Sequence, residues 1–476
     1  MSRFDRNWIL VSMVGKSQIS RRHLIGTGAA LLTLPALLRG AVQPIIVRSE
    51  AGILETEIEA VEAWVQLGTS YAHLFTYNAQ APGPILEARA GDTVRLRFTN
   101  RLLESTNLHF HGLHVPPTGN GDNVFLEVPP GETVIYQFVL PANHPCGTFW
   151  YHPHLHGSAA RQLSRGLAGL FVVRGELDEI PAIAIAPEHF LVLQDWALDR
   201  NGKVIEPSMM QLMNGREGAL ITVGNMIKPQ FSILSGGLLR LRILNASASR
   251  FYRLKLEDHP FYVIATDGGP LSAPSAVSEI LLSPGERIDV LVEGNREIGT
   301  YRVFNLPYNR GGSAMMGGPS GHAAAEVLAT IAYENRAEST IEIPDRLVAV
   351  DPLPAPAGSA RTFTLSESGM RFLINGREFD HRRVDTQVQL GSVEDWEIVN
   401  VGAMDHPFHL HTNSFQIIDS AGQPERSWKD VVLVPAGQRR RFRVKFADFP
   451  GRAVYHCHIL DHEDRGMMGV VEILGS

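Results

Sequence analysis

The chain has 476 residues, of which 44% are hydrophobic and 20% are charged, and this is the composition of an ordinary globular protein. Its formal net charge of −7 argues against nucleic acid as the main partner. The length is sufficient for about three domains.

Residues 1–41 have the features of an export signal. Arg21 and Arg22 precede a mildly apolar stretch, residues 24–38, which is too short to span a bilayer as a mature helix. Gly40-Ala41 offers small residues for cleavage, and the paired arginines resemble a twin-arginine signal, which is read by an export machinery for folded proteins. We therefore expect a periplasmic or secreted bacterial protein with no membrane span in the mature chain; an uncleaved N-terminal anchor is the alternative.

From about residue 43 the sequence repeats a pattern of short alternating strands divided by Gly, Pro and Asn turns. Each copy has an alternating strand, then a Pro/Gly turn, then an aromatic-rich strand. The repetition predicts three β-sandwich units with boundaries near 175 and 345. The alternating strands are Gly91–Asn100, Gly237–Asn245 and Gly391–Asn400, and the turns are Pro130–Glu132, Pro284–Glu286 and Pro435–Gly437.

The stretch near the C-terminus that begins at Tyr455 combines soft metal donors. Cys457 is flanked by His456 and His458, and His462 and Met467 follow. Two His and one Cys with a weak axial Met form the ligand set of a blue electron-transfer copper, so one further His must come from elsewhere. In an extended strand Cys457 points to one face and its flanking histidines to the other, so one strand end can touch two metal sites.

Two other interpretations of this stretch are a buried free cysteine among chance histidines and a zinc site. No second cysteine lies nearby to complete a Cys-rich zinc tetrahedron. Further His clusters occur in the first and third repeats, whereas the middle repeat has only scattered histidines such as His259. The clusters are His109-Phe-His111, His152-Pro-His154 and His406-Pro-Phe-His409-Leu-His411.

Together these motifs resemble those of three-domain multicopper oxidases of the laccase and cuprous-oxidase type. The match covers roughly residues 43–476, and all four motifs are complete. The resemblance implies an all-β fold of three cupredoxin-like Greek-key β-sandwich domains. With the signal at 1–41, the expected domains are 42–175, 176–344 and 345–476.

The resemblance also implies four copper ions, one of type 1, one of type 2 and a type 3 pair. It assigns the type 1 copper to His406, Cys457, His462 and axial Met467, with Met468 as the competing axial residue. It assigns the type 2 copper to His109 and His409. The type 3 pair would be held by His111, His152, His154, His411, His456 and His458, with the trinuclear cluster between the first and third domains.

Reduction of dioxygen to water consumes protons as well as electrons, so carboxylates are expected near the trinuclear cluster. Glu463 and Asp122 resemble the two acids that serve this purpose in the family. Asp122 lies in a Gly-Asn-Gly-Asp loop, so a turn-forming role is the alternative for this residue.

The resemblance implies an enzyme that takes single electrons from a small reducing substrate at the type 1 site and reduces dioxygen to water. Between Trp396 and His462 the chain has only Met404, so it lacks the Met-rich insertion of members specialised for Cu(I). We therefore expect an open imidazole edge and oxidation of phenols and aromatic amines. The alternative is a periplasmic cuprous oxidase for copper tolerance, since Met404 and the Met209–Met213 cluster could fold over the site.

Two more distant alternatives belong to other classes of protein. Copper nitrite reductases resemble two-domain chains and lack the full trinuclear ligand set. Some cell-division proteins of this architecture have lost their copper ligands and act by binding, whereas the ligand motifs here are intact. A copper analysis distinguishes this last alternative from an oxidase.

Overall fold

The computed structural model describes residues 45–312, 324–337 and 339–475. The expected export signal at 1–41 lies outside these residues. Within them the chain forms thirty strands and five helices, and the longest helices have six residues. None of the helices described is long and apolar enough to cross a membrane.

The first repeat forms two sheets. Its elements are β1 (Ile46–Arg48), β2 (Ile53–Leu67), β3 (Ser70–Tyr77), β4 (Ile85–Arg89), β5 (Thr93–Asn100), β6 (His109–His111), β7 (Thr133–Val139), β8 (Gly147–His152), α1 (Ala159–Ser164) and β9 (Gly169–Arg174). The strand orders of the two sheets are β3-β2-β5-β7 and β1-β4-β9-β8-β6. Two short helices, α2 (Glu176–Glu179) and α3 (Pro181–Ala184), follow these elements and precede the strands of the second repeat.

The second repeat also forms two sheets, in the orders β11-β10-β13-β18-β15-β16 and β12-β20-β19-β14-β17. Its elements are β10 (Glu188–Trp196), α4 (Met209–Asn214), β11 (Leu220–Val223), β12 (Gln230–Ser235), β13 (Leu238–Asn245), β14 (Tyr252–Leu256), β15 (Phe261–Thr266), β16 (Gly269–Val277), β17 (Ile280–Leu282), β18 (Arg287–Glu293), β19 (Thr300–Leu306) and β20 (Glu326–Arg336).

The third repeat has the sheet orders β22-β21-β24-β28-β26 and β23-β30-β29-β25-β27. Its elements are β21 (Arg361–Ser368), β22 (Arg371–Ile374), β23 (Thr386–Gln389), β24 (Val393–Asn400), β25 (His406–Leu410), β26 (Phe415–Ile417), β27 (Val431–Val434), β28 (Arg439–Lys445), β29 (Gly451–Cys457), α5 (Leu460–Glu463) and β30 (Met468–Leu474).

The three repeats share one strand topology. The alternating strands recognised in the sequence, β5, β13 and β24, each lie between a parallel neighbour (β2, β10 or β21) and an antiparallel one (β7, β18 or β28). In each repeat, apolar side chains from both sheets meet in one buried cluster, as expected when alternation turns one face of each strand inward. The predicted all-β fold of three cupredoxin-like sandwiches is confirmed.

The histidine motifs occupy equivalent strand pairs of the first and third repeats. β6 pairs with β8, and β25 pairs with β29, with His109 opposite His152 and His409 opposite His456. The equivalent pair in the second repeat is β14 and β19, and its strands contain no histidine. The shared topology therefore places ligand-bearing strands in two of the three repeats.

Candidate metal centres

Strand β29 separates the donors of two sites, as its predicted alternation requires. Cys457 points into the apolar core of the third repeat, whereas the preceding residue, His456, contacts histidines of the other face. Phe408 of β25 lies opposite Cys457 in the ladder. One strand end thus contributes to two separate clusters of donors.

The first cluster is a trigonal arrangement of two imidazoles and a thiol. The Sγ atom of Cys457 lies 3.3 Å from Nδ1 of His406 and 3.8 Å from Nδ1 of His462, and the two Nδ1 atoms are 3.4 Å apart. All three side chains are fully buried. Burial raises the pKa of the Cys457 thiol, so a bound cation is what would favour its thiolate there. The donor set fits a copper ion of the blue type.

Nε2 of each of these two histidines makes a hydrogen bond. This leaves the lone pair of Nδ1, which faces Cys457, available to bind a metal. Nε2 of His462 donates to the main-chain carbonyl of Met213 at 3.1 Å, and Nε2 of His406 donates to Oε1 of Glu367 at 3.0 Å. The ring of Phe372 stacks on His462 with centroids 3.9 Å apart. The sequence did not indicate Glu367, which lies 39 positions before His406 in the chain, and it indicated Met213 only as a member of the methionine cluster at 209–213.

The expected open imidazole edge is absent. His406 and His462 are both buried, and the helix that carries Met213, α4, lies against α5 beside His462. Met209 and Met210 on this helix remain about half exposed, and Met404 packs in the same core as Cys457. The helix of the Met209–Met213 cluster does cover His462, through the Met213 carbonyl. The second repeat supplies this helix, and no local pattern of the third repeat predicts it.

Met467 is the better placed of the two candidate axial residues. It is fully buried in the core that contains Cys457, and its carbonyl accepts from the Cys457 amide at 3.0 Å. Met468 instead lies on β30 and packs in a separate apolar cluster with Val454. The axial role of Met467 stays a prediction.

Substitution of Met467 should change the redox potential of the blue copper without removing its colour, because a weak axial ligand tunes the potential. We expect Met467→Leu to raise the potential and Met467→Gln to lower it in a redox titration. The matched control is Met468→Leu, which should leave the potential unchanged. A shift with Met468→Leu alone would move the axial role to that residue.

The second cluster contains eight buried histidines from the first and third repeats. Desolvation by burial lowers the pKa of each well below the usual value. The imidazoles are therefore neutral, the state in which histidine binds a metal. They are His109, His111, His152, His154, His409, His411, His456 and His458.

These histidines leave ring nitrogens without partners. Nε2 of His109, His152 and His409 makes no hydrogen bond although it is buried. Nε2 of His456 lies 3.0 Å from Nε2 of His154 and 3.1 Å from Nε2 of His411, while its own Nδ1 donates to the Cys457 carbonyl at 3.0 Å. Buried polar atoms are normally satisfied, so this convergence of lone pairs fits bound metal ions.

Donor atoms of the cluster fall into overlapping groups of metal-binding dimensions. His154, His411 and His456 form one, and His109 joins two others, with His111 and His152 or with His409 and His411. The rings of His111 and His458 are 5.0 Å apart. All eight predicted ligands are thus brought together, and their division among individual coppers stays a prediction.

Asp122 lies against a candidate ligand. Its Oδ1 accepts from Nδ1 of His109 and from the amide of Phe110, both at 2.8 Å. Burial raises the pKa of its carboxyl to about 8. Its own amide binds the Pro116 carbonyl, so the residue both shapes its loop and orients His109. A role in proton delivery remains a prediction.

Glu463 is buried beside the cluster with no hydrogen-bond partner on either carboxyl oxygen. Oε2 lies 3.2 Å from Nδ1 of His456, and Oε1 lies 3.6 Å from Nδ1 of His154. Burial raises the pKa of this carboxyl well above its usual value, because desolvation favours the neutral, protonated form.

A further carboxylate beside the cluster, Asp430, was missed in the sequence. Its Oδ1 accepts from Nε2 of His111 at 2.9 Å, and its carbonyl accepts from Nδ1 of His409 at 2.8 Å. It stands just before β27, the neighbour of β25, outside every histidine motif. Its position depends on a long-range strand pairing that the local pattern does not reveal.

Comparison with known proteins covers most of the chain. Family models described as multicopper oxidase match residues 59–178, 188–330 and 354–474. A solved structure titled as a multicopper oxidase from Campylobacter jejuni, a metallo-oxidase, is 30% identical with a TM-score of 0.80, covering 91% of this chain and 96% of that one.

Two further relatives carry different descriptions. A laccase-like multicopper oxidase, CueO, from Ochrobactrum sp. is titled as having oxidase activity towards lignin model compounds; it is 30% identical with a TM-score of 0.79, covering 90% of this chain and 99% of that one. The cell division protein FtsP of Xenorhabdus nematophila is 31% identical, over 85% of this chain and 86% of its own length.

Proposed function

Because this chain belongs to the multicopper oxidase family, we propose that it takes single electrons from a small reductant at one copper site and reduces dioxygen to water at another. The observation that carries the proposal is the end of β29, where adjacent residues, Cys457 and His456, face the two donor clusters. We propose four coppers. The ligands would be His406, Cys457, His462 and Met467 at the type 1 site, and His109, His111, His152, His154, His409, His411, His456 and His458 at the trinuclear cluster.

When bound, copper would supply reversible one-electron storage and open positions for dioxygen. Cys457 would connect the sites, because its peptide groups join it covalently to His456 and His458. The Cys457 carbonyl accepts from Nδ1 of His456 at 3.0 Å, which adds a hydrogen-bonded route between the two. Removal of water from both clusters by complete burial strengthens the electrostatic interactions within them.

Proton supply is the second task of the protein at the histidine cluster. Glu463, with both oxygens buried and unpartnered, is poised to deliver a proton, as a general acid of raised pKa does. Asp122 would hold the His109 ring through Nδ1 and could pass protons from its loop.

We propose phenols and aromatic amines as the reductants, on the ground that the third repeat lacks a Met-rich insertion. The Ochrobactrum relative, titled for activity towards lignin model compounds, supports this proposal. Electron transfer from such molecules needs only a close approach to a ligand imidazole or a group bonded to it. Glu367, on Nε2 of His406 with a side chain that is 17% exposed, offers that approach.

A specific observation favours Cu(I) as the alternative substrate. A carboxylate bonded to a ligand imidazole attracts a cation, and the pKa of Glu367 is lowered by its contacts with His406 despite its burial, so it is ionised. The thioethers of Met209 and Met210 are exposed on α4, and thioethers are soft ligands that suit Cu(I). The Campylobacter relative is described as a metallo-oxidase.

Turnover of the copper-loaded enzyme decides between the two substrates. If phenols are the substrates, dimethoxyphenol is oxidised without added copper, and Glu367→Gln changes that rate little because the amide oxygen still accepts from His406. If Cu(I) is the substrate, Glu367→Gln lowers its oxidation roughly ten- to hundredfold, the loss of a contact worth about 1.5–3 kcal/mol. Phenol turnover seen only with excess Cu(II) would overturn the phenol assignment.

Similarity to FtsP leaves a non-enzymatic role to be tested. The candidate ligands are all in place here and converge on two clusters, so we propose that this chain is an oxidase that holds copper. Metal analysis of the loaded protein tests this directly. The paired arginines at 21 and 22 support export through a twin-arginine machinery to the periplasm or beyond.

A further inference from the structure

The Pro/Gly turn of the second repeat differs from its two counterparts in burial. In the first repeat Pro130–Glu132 is exposed, and in the third Ala436 and Gly437 are exposed. In the second repeat every residue of Pro284–Arg287 is buried. A turn between strands normally lies at the surface, so the burial of this one requires a reason.

The buried turn lies directly against the histidine cluster. A side chain at Gly285 would place its Cβ 2.8 Å from ring atoms of His458, and the residue has a φ of +85°. Only glycine allows both the conformation and the close approach. The second repeat, whose described residues contribute none of the candidate ligands, therefore forms part of the wall of the cluster.

Arg287, the residue that follows this turn, forms a bidentate ion pair with Asp430. Its Nη1 and Nη2 donate to Oδ1 and Oδ2 at 2.7 and 2.6 Å, and both side chains are almost completely buried. The guanidinium also donates to main-chain carbonyls, Thr148 at 3.0 Å and Asp267 at 2.7 Å. Arg287 thereby links the first, second and third repeats at one point.

Asp430, the partner of Arg287, in turn accepts hydrogen bonds from two candidate ligands of the cluster. By accepting from Nε2 of His111 it leaves Nδ1 of that ring as the metal donor, and that atom has no other partner. By accepting from Nδ1 of His409 through its carbonyl it leaves Nε2 as the donor. A partner of this kind fixes both the tautomer and the ring orientation of a ligand.

The glycine of the first histidine motif makes room for the ion pair. A Cβ at Gly112, whose φ is +85°, would clash with both the Arg287 guanidinium and the Asp430 carboxylate. Gly112 thus leaves room for the ion pair between Arg287 of the second repeat and Asp430 of the third. This contact, and not only the φ angle, excludes other residues at that position.

We propose that Arg287 is a positioning residue for the trinuclear cluster, acting through Asp430 on His111 and His409. The inference rests on the proposed copper sites and adds a role for the second repeat, whose described residues supply no candidate copper ligand. The planar fork of arginine is required because it binds both oxygens of Asp430 and three main-chain carbonyls at once. A lysine supplies the charge without that geometry.

The test compares Arg287→Lys with Arg242→Lys in the copper-loaded full chain. Arg242 is a matched control: it is equally buried, lies on the neighbouring strand β13, and forms ion pairs with Glu188, Asp178 and Asp289 but touches no candidate ligand. Measurements are copper per chain, the blue absorption, the electron paramagnetic resonance signal of the non-blue copper, and copper retention against a chelator.

We expect Arg287→Lys to weaken copper binding at the histidine cluster roughly 10–100-fold, the usual effect of losing a partner of a metal ligand. Its non-blue resonance signal should change while the blue absorption stays. Arg242→Lys should retain both signals. Unchanged retention and resonance in Arg287→Lys, or an equal loss in Arg242→Lys, would overturn the inference.

If Arg287→Lys is insoluble, the double variant Arg287→Met with Asp430→Asn removes both charges and leaves no buried ion unpaired. It should show the same selective loss, and full copper retention would overturn the inference. Failure of the proposed function has a separate signature, since wild-type protein would then bind no copper beyond the blue site or none at all.

Discussion

The variant Cys457→Ser is expected to lose the blue colour completely while retaining copper in the histidine cluster. The colour of such a site comes from charge transfer between a thiolate and copper, and Cys457 is the sole thiol among the candidate ligands. Its side chain points away from the cluster into the apolar core. Substrate oxidation should fall to background, because the donor that joins the two sites is removed.

Absorption and metal analysis of the purified, fully loaded proteins check this expectation. Wild-type protein should hold about four coppers per chain, and Cys457→Ser about three. The matched control is Cys146→Ser, which replaces the other free and buried cysteine and should stay blue. Zinc or a single copper in well-loaded wild-type protein would contradict the assignment of both sites.

The variant Glu463→Gln should slow the reaction with dioxygen while leaving the first electron transfer intact. Burial raises the pKa of Glu463 and so favours a protonated carboxyl next to His456 and His154. Glutamine has the same shape but no proton to deliver, and loss of a general acid lowers a rate roughly 10²–10⁴-fold. Reduction of the blue copper by substrate does not consume that proton.

Two half-reactions followed by stopped-flow absorption separate these effects. Anaerobic bleaching of the blue band by substrate should be as fast in Glu463→Gln as in wild type, and its return on mixing with dioxygen should be slow. Glu472→Gln, a partly exposed glutamate on β30, is the control and should match wild type in both. If neither half-reaction changes in Glu463→Gln, proton delivery belongs to another group.

Sequence alone was sufficient to predict the fold class and the residues that gather in the two clusters. The alternation around Cys457 predicted that it and His456 face different sites, since the period of a strand is a strict geometric rule. Repetition of the same strand and turn predicted the shared topology. These features depend on neighbours along the chain or on motifs whose spacing is itself informative.

Residues that orient the ligands could not be predicted in the same way. Glu367, Asp430 and Arg287 are ordinary charged residues at strand ends, and nothing in their own surroundings distinguishes them from residues in surface ion pairs. Their contacts around the ligands form only when distant parts of the chain pack together. The open edge expected at His462 was wrong for the same reason, because the cover comes from α4, about 250 residues earlier in the chain.

The contact between Nε2 of His154 and Nε2 of His456 joins positions 302 residues apart. Neither half of the chain can assemble the complete histidine cluster, so we expect copper to fill it only after the first and third repeats have packed together. Free energy of metal binding is then also free energy of association between the first and third repeats. Removal of copper by a chelator should accordingly convert one cooperative thermal unfolding transition into separate ones. The amount of copper retained would then report whether the whole chain has folded.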